Sequence, residues 1–477
     1  MIDILIDHAF VLRMVGADLG LIENAAVAVD EGRIVAVGKL GSFPSAYRSA
    51  RKRMNARGKV VLPGLIDAHV HTHLGLFRGQ AQDVPESDWM VGHVEPLARH
   101  LTKDAAVHSA RLIVVEGLKA GTTLFNDYGP FVNYAAGPVY SKLGVRANLA
   151  STINETASLG SPDEKGLYQF SPEVGERTLS DNLRLIDKWQ NAAAGRITCS
   201  LGPQAADMLS EQLLLRVKET AVEKGLLMHF HLAQGAREAA QIKSRYGLST
   251  VQFLDRLGFL CSNLMGVHCH GASSDELRLI AKRNVRMISC PNSIGLIDGI
   301  VSPVWEFLEA GGYSAALGSD QACGNNSCNM FAEMRMAAIL NKVRSRDPTV
   351  LPASRALRLV TIDAAKTLGL EQRVGSIEKG KRADLIVIDL KTPQTTPILS
   401  SSSPAGNIIP NLVYSARGSE VETVIVDGRI IMEDRRILTA NEDRVIEEAQ
   451  RAAQRIVGKA ILRQKVASPL VAEEAKL

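Results

Sequence analysis

Hydrophobic residues recur in two different rhythms along this 477-residue chain. Near both ends, short apolar runs are broken by Gly and acidic residues: "IDILIDHAFVL", "AAVAVDEGRIVAVG" and "RMNARGK" early, "ADLIVIDL" and "VETVIVDGRIIME" late. Such β-branched runs between turn residues read as strands. Their shared character predicts that segments 1–58 and 375–440 pair into one small composite β-sandwich domain.

Between the two sets the rhythm changes. Eight apolar runs each close on a polar or Gly cluster: "KVVLPGLIDAHVH", "GTTLFNDY", "GVRANLAST", "RITCSLGPQ", "GLLMHFHLAQ", "NLMGVHCHG", "NVRMISCPNS" and "SAALGSDQ". Helical patterns such as "LSEQLLLRVKETAVEKG" and "SSDELRLIAKRN" separate several of them. Continuous apolar strands are buried on both faces, and strands alternating with helices give parallel sheets. The pattern therefore predicts an α/β fold, a (β/α)8 TIM-type barrel over 59–374. The remainder, 441–477, contains "EDRVIEEAQRAAQRIVGKAILRQK", an amphipathic helix, while "LSSSSPAGN" reads as a loop.

Composition narrows the partners. Lys and Arg total 55 against 51 Asp and Glu, a net charge of +4 with no basic cluster, which points to a small-molecule substrate and away from nucleic acid. No apolar run approaches the roughly 18 residues that span a bilayer, so no membrane partner is expected. The N-terminus, "MIDILIDHAFVLRMV", carries Asp3 and Asp7 and lacks a cationic start, which predicts a cytoplasmic protein. The six cysteines form no CxxC pair and read as reduced packing residues.

Seven of the 11 histidines fall at the ends of three predicted barrel strands: His69, His71 and His73, then His229 and His231, then His268 and His270. Strand residues at i and i+2 share a face, so each pair sets two imidazoles side by side at the end where barrel enzymes carry their sites. Asp320 closes the eighth run. Not every imidazole in a cluster can bind, and His73, His229 and His270 are read as structural.

"PGLIDAHVHTHLGLFRG", "HFHLAQ", "VHC", "LGSDQACGNNSCNMFAEMR" and "GSIEKGKRADLIVIDL" together resemble the amidohydrolase superfamily, in particular its adenosine-type deaminases, s-triazine hydrolases and chlorohydrolases. By that resemblance His69, His71, His231 and Asp320 are metal ligands, and His268 lies beside the metal-bound water. Three imidazoles and a carboxylate suit Zn²⁺, with Fe²⁺, Mn²⁺ or Co²⁺ as alternatives. Binuclear members add a carboxylated Lys on the fourth strand; "RITCSLGPQ" has none, so one divalent ion is expected. Such an ion lowers the pKa of water from 15.7 toward about 7. Asp320 would then act as general base and acid, and His268 would orient the hydroxide. The resemblance also implies a homodimer or higher oligomer.

Two departures bear on the substrate. Gln234 stands where the deaminases carry a ring-protonating Glu, and Gln204 where they carry a substrate-contacting His. A carboxamide cannot relay a proton at neutral pH. The first expectation is therefore hydrolysis of a urea, carbamate, thiocarbamate or amide. The alternative is a deaminase or chlorohydrolase of an aminated heterocycle, and a non-catalytic scaffold is the third reading, disfavoured by four retained ligands. Gln234, Gln204, Trp89 and Asn126 are the candidate substrate contacts.

Overall fold

The computed structural model describes residues 1–84, 88–156, 166–399 and 406–463. The serines of "LSSSSPAGN" and the last residues of the tail lie outside this set.

The early runs form strands β1 (Ile2–Leu12), β2 (Leu21–Asp30), β3 (Arg33–Lys39), β4 (Ala50–Asn55) and β5 (Lys59–Pro63). The middle of the chain holds β6 (Leu65–Val70), β7 (Thr122–Tyr128), β8 (Arg146–Ala150), β9 (Thr152–Ile153) and β10 (Ile197–Cys199). It continues with β11 (Gly202–Pro203), β12 (Met228–Leu232), β13 (Leu264–His268), β14 (Arg286–Ser289) and β15 (Ser314–Leu317). The late runs give β16 (Leu385–Asp389), β17 (Val421–Val426), β18 (Arg429–Glu433) and β19 (Arg436–Ile437).

Both ends of the chain share one nine-stranded sheet, ordered β19-β18-β17-β16-β5-β1-β2-β3 with β4 on β1. The seam is β5, parallel to β1 and antiparallel to β16, so it pairs in this sheet although it falls just past residue 58. Alternation explains its place. Val61 points into a core with Ile6, Val27, Leu385 and Ile425, whereas Val60 and Leu62 point into the large core of the middle segment. Each fully buried Val, Leu or Ile contributes about 1.5–3 kcal/mol, so a strand buried on both faces anchors the sheet to the rest.

The eight middle runs all become strands. Parallel pairing gives β10-β8-β7-β6 and β12-β13-β14-β15, each four strands wide. Parallel bridges join the two sheets at one seam, Leu201 with Met228 and Ala205 with His231, and at the other, Val70 with Asp320. Nearly every residue of these strands is buried, as helices on the outer face demand. The covering helices start where the sequence provides caps: Ser210 accepts from Leu213 N ahead of Glu211–Lys224, and Ser273 with Glu276 forms a capping box ahead of Ser274–Lys282.

The tail helix, Glu442–Arg463, lays Val445, Ala449, Ala452 and Ile456 inward and packs on the helix Lys103–Lys119. Arg111–Glu448 at 3.0 Å and Lys119–Glu442 at 2.7 Å fix its register. All six cysteines are unpaired, and burial pushes the Cys199 thiol up to about 12, in keeping with packing residues. No helix among the described residues is long and apolar enough to cross a membrane.

Candidate active site

The strand ends bring the histidine pairs together. His69 is the penultimate residue of β6 with His71 just beyond its end, His231 is in β12, His268 closes β13, and Asp320 follows β15. Donor atoms of His69, His71 and His231 lie within 4.8 Å of one another, as do those of His69, His268 and Asp320. Asp320 Oδ1 sits 3.3 Å from His69 Nε2 and 3.4 Å from His71 Nε2, and His71 Nε2 is 3.4 Å from His231 Nε2.

The far nitrogens of His69, His71 and His231 are held. Tyr128 O accepts from His71 Nδ1 at 3.0 Å, Gln204 O accepts from His231 Nδ1 at 2.9 Å, and His69 Nδ1 pairs with His229 Nε2 at 2.7 Å. A carbonyl can only accept, so His71 and His231 carry Nδ1–H and turn an Nε2 lone pair inward. Ser293 Oγ donates to Asp320 Oδ2 at 2.7 Å, leaving Oδ1 to face the histidines. Within the described residues His69 Nε2, His268 Nδ1 and Asp320 Oδ1 are buried without a hydrogen-bond partner. Burial also holds the imidazoles neutral: it pushes His71 down to about 3 and lowers His69, His231 and His268. Inward lone pairs, neutral rings and orphaned acceptors fit one divalent cation.

The local backbone is built around this convergence. Asp67, two residues before His69, accepts from Ser319 N at 2.9 Å and from Ser319 Oγ, tying β6 to the loop after β15. Desolvation pushes its carboxyl up to about 7. Gly318 has no room for a side chain, since a Cβ would stand 2.7 Å from His69 Cβ. Asp320 and His268 hold φ of 62° and 77°, left-handed values that L residues adopt at a cost and that concentrate at functional sites.

The three histidines read as structural contribute to neither donor group. His73 packs 6.0 Å from Phe131 and burial pushes it down to about 4. His270 faces Asp298 at 3.8 Å. His229 has a more specific place, as the partner of His69.

A cavity of about 150 Å³ opens beside the cluster, lined by His71, His231, His268 and Asp320 and also by Trp89, Gln204, Gln234 and Arg237. Larger clefts of about 570 and 610 Å³, beside Trp305 and beside the tail helix, contain none of the clustered histidines. Gln204 Oε1 accepts from Asn154 Nδ2 at 2.6 Å, and Gln234 N donates to Glu238 Oε2 at 2.6 Å. Asn126 is placed elsewhere: fully buried, it donates to Ala68 O at 2.6 Å, accepts from Asn148 and does not line the cavity. Ser293, Tyr128, Arg237 and Glu238 were not singled out in the sequence. Of these Tyr128 closes "GTTLFNDY" and Ser293 closes "NVRMISCPNS", so strand-end position was the signal that could have found them.

Residues 60–431 match the model of the amidohydrolase family. The chain is 35% identical over 459 residues to a 5'-deoxyadenosine deaminase of Methanosarcina mazei, covering 96% of this chain and 99% of that one. It is 36% identical over 454 residues to a 5-methylthioadenosine/S-adenosylhomocysteine deaminase of Desulforudis audaxviator, covering 95% and 99%. Among solved structures, an adenosine deaminase from Xanthomonas campestris with bound zinc superposes with a TM-score of 0.85 at 28% identity, covering 96% and 99%.

Proposed function

The chain belongs to the amidohydrolase family as a hydrolase of carbon–nitrogen bonds, and from that premise we propose a metal-dependent deaminase that removes ammonia from an aminated heterocycle, a 6-aminopurine nucleoside by preference. The carrying observation is the convergence of His69, His71, His231 and Asp320 Oδ1 beside the cavity. The parallel strands, bridged at both seams, read as the closed (β/α)8 barrel, with 59–374 as the metal-binding unit that lends β5 to the two-ended sheet of 1–58 and 375–440, and 441–477 as the helical tail.

One ion, Zn²⁺ by preference and Fe²⁺, Mn²⁺ or Co²⁺ by the same donor set, would be held by His69, His71, His231 and Asp320 and would bring the pKa of water toward about 7. Asp320, steadied by Ser293, takes a proton from the attacking water and passes it to the departing amine. His268 lies against the same group and orients the water's oxygen. Gln234 donates a hydrogen bond to the ring nitrogen where an acid would protonate it. Water adds to the amino-bearing carbon, the C–N bond breaks, and ammonia leaves an oxo-substituted ring.

The weight placed on urea, carbamate, thiocarbamate and amide substrates rested on Gln234, and no comparison supports it. The relatives' names favour the ring amine, and Gln234 becomes a substitution within a deaminase site. Mass spectrometry on zinc-loaded protein with 6-aminopurine nucleosides, aminated and chlorinated triazines, ureas, carbamates and amides tests the reading. Release of ammonia from a purine is the expected outcome. Release of an amine from a urea or carbamate with every ring left intact overturns it.

A further inference from the structure

Asp320 is the acidic member of the cluster, and its φ of 62° persists only where the surroundings over-determine it. Those surroundings are visible bond by bond. The peptide unit entering Asp320 is pinned at both ends: its N–H donates to His69 O at 2.8 Å, and its C=O, that of Ser319, accepts from Asn325 Nδ2 at 2.6 Å. The C=O of Asp320 itself accepts from His71 N at 3.2 Å. Its carboxyl is steadied separately, by Ser293 Oγ on Oδ2. Asn325 and Ser293 stand outside the cluster and come from two different connections, Ser293 from the helix Pro291–Ile297 after β14 and Asn325 from the helix Ala322–Asn325 after β15.

Both connections lead to one side chain. Glu333, in the first turn of the helix Met330–Ser345, is fully buried. Its Oε1 accepts from Asn325 Nδ2 at 2.7 Å and from Asn292 Nδ2 at 2.6 Å, and its Oε2 accepts from Asn292 N at 3.3 Å. An amide nitrogen carries two hydrogens, so Asn325 places one on Ser319 O and the other on Glu333. Asn292 immediately precedes Ser293, so holding its backbone and its amide sets the residue that donates to Asp320. A carboxyl in the interior costs desolvation that an apolar side chain would not, and here donors from two separate connections offset it. The helix behind it is fixed, with Met330, Phe331, Met334, Ala337 and Ala338 packed inside. Glu333 belongs to neither donor group and does not line the cavity.

We propose that Glu333 is a positioning residue for Asp320: through Asn325 on Ser319 O and through Asn292 on Ser293, it holds the Asp320 carboxyl in the place where that group binds the metal and carries the proton. The inference rests on the reading of the cluster as a metal-dependent deaminase site, and it adds a residue that acts from outside the cavity. Because Glu333 is absent from the cavity wall, its loss leaves the substrate contacts in place and falls on metal binding and turnover.

Three readouts on the full-length protein test this: the zinc dissociation constant against a chelator, the visible absorption bands of the cobalt-loaded protein, which report ligand geometry without turnover, and kcat and KM with 6-aminopurine nucleosides. Glu333→Ala should weaken zinc binding by about tenfold or more, shift the cobalt bands and lower kcat by a similar factor, with KM changed by less than about threefold. Glu333→Gln keeps one oxygen for both amide donors and should restore part of each loss. Asn341→Ala is the packing control. Asn341 lies further along the same helix, is buried, accepts from Trp305 N and donates to Ala337 O, so its loss should lower the melting temperature and leave all three readouts at the parent's values. Should Glu333→Ala fail to fold, Asn325→Ala, which cuts one branch, carries the same expectations. Unshifted cobalt bands with zinc affinity and kcat within about twofold of the parent's, or equal losses in Asn341→Ala, overturn the proposal. Zinc affinity and cobalt bands that depend on Glu333, with no ammonia released from any purine, sink only the deaminase; ammonia release with every readout indifferent to Glu333 sinks only the positioning role.

Discussion

The histidine–aspartate cluster and the cavity wall lie side by side yet are built by different means. Every cluster residue sits on or within a few residues of a buried parallel strand, and backbone carbonyls at or just past strand ends hold two of the far nitrogens, His71 by Tyr128 O and His231 by Gln204 O. The wall comes from connections and helix starts, with Trp89 in the segment Trp89–Val94, Gln204 after β11 and Gln234 and Arg237 after β12. Strands fix positions to fractions of an ångström, whereas connecting segments tolerate substitution. The lesson is a division of labour, with the reaction type written in the strands and the choice of substrate in the loops.

Breaking the strand-borne side should cost most. Asp320→Asn replaces the proposed anionic ligand by a neutral amide and removes the proposed proton carrier, and kcat should fall on the order of 10⁴-fold with the circular dichroism spectrum unchanged. Retention of a tenth of the activity would exclude Asp320 as that carrier. On the wall, Gln234→Glu supplies the missing acid, and ring deamination should rise by about 10²-fold in kcat if proton transfer to the ring is limiting. No gain would return the carbonyl substrates to first place.

His229 probes the border between the two regions. His229→Ala leaves His69 Nδ1 without its 2.7 Å partner, and metal affinity measured against a chelator should weaken by about 10- to 100-fold. His229→Gln keeps an acceptor in reach and should recover part of that loss; equal loss in both variants would reduce His229 to a packing residue.

The smallest effect concerns pH. Burial pushes Glu333 up to about 8 and Asp67 up to about 7, so the folded protein holds protons that the unfolded chain releases near its ordinary carboxylate range. The stability these groups contribute is complete below about pH 4 and declines as pH rises to about 8. Glu333→Gln, which keeps an acceptor for Asn292 and Asn325, should flatten the melting temperature across that window by on the order of 1–2 °C. A slope identical to the parent's would assign the pH dependence to other groups.

What could be read in advance followed the same division. Alternation put His69 with His71 on one strand face, and strand-end position singled out Asp320, because periodicity two is a local property of the chain. The resemblance then marked off the proposed ligands His69, His71, His231 and Asp320, whose donor atoms the fold brings into two overlapping groups. The pairing of His69 with His229 was out of reach, since it depends on how β6 and β12 face each other across the strands. Asn126 reads as a polar strand-end residue in sequence, yet its amide is spent on Ala68 O and Asn148 in the interior. Arg237 looks like any charged residue opening a surface helix, and only the folded connection turns it to the cavity. Likewise β5 carries no mark that its partners are β1 and a strand from the far end of the chain.

That last pairing has a consequence for how the protein is made. Ribosomes release β5 early and β16 roughly three hundred residues later, which at about 5–20 residues per second is a wait of about 15–60 s. Throughout it, the edge formed by Val60, Val61 and Leu62 is an unpaired apolar strand, the kind of surface on which nascent chains aggregate or recruit chaperones. Synthesis, rather than the finished molecule, is when this protein is most exposed.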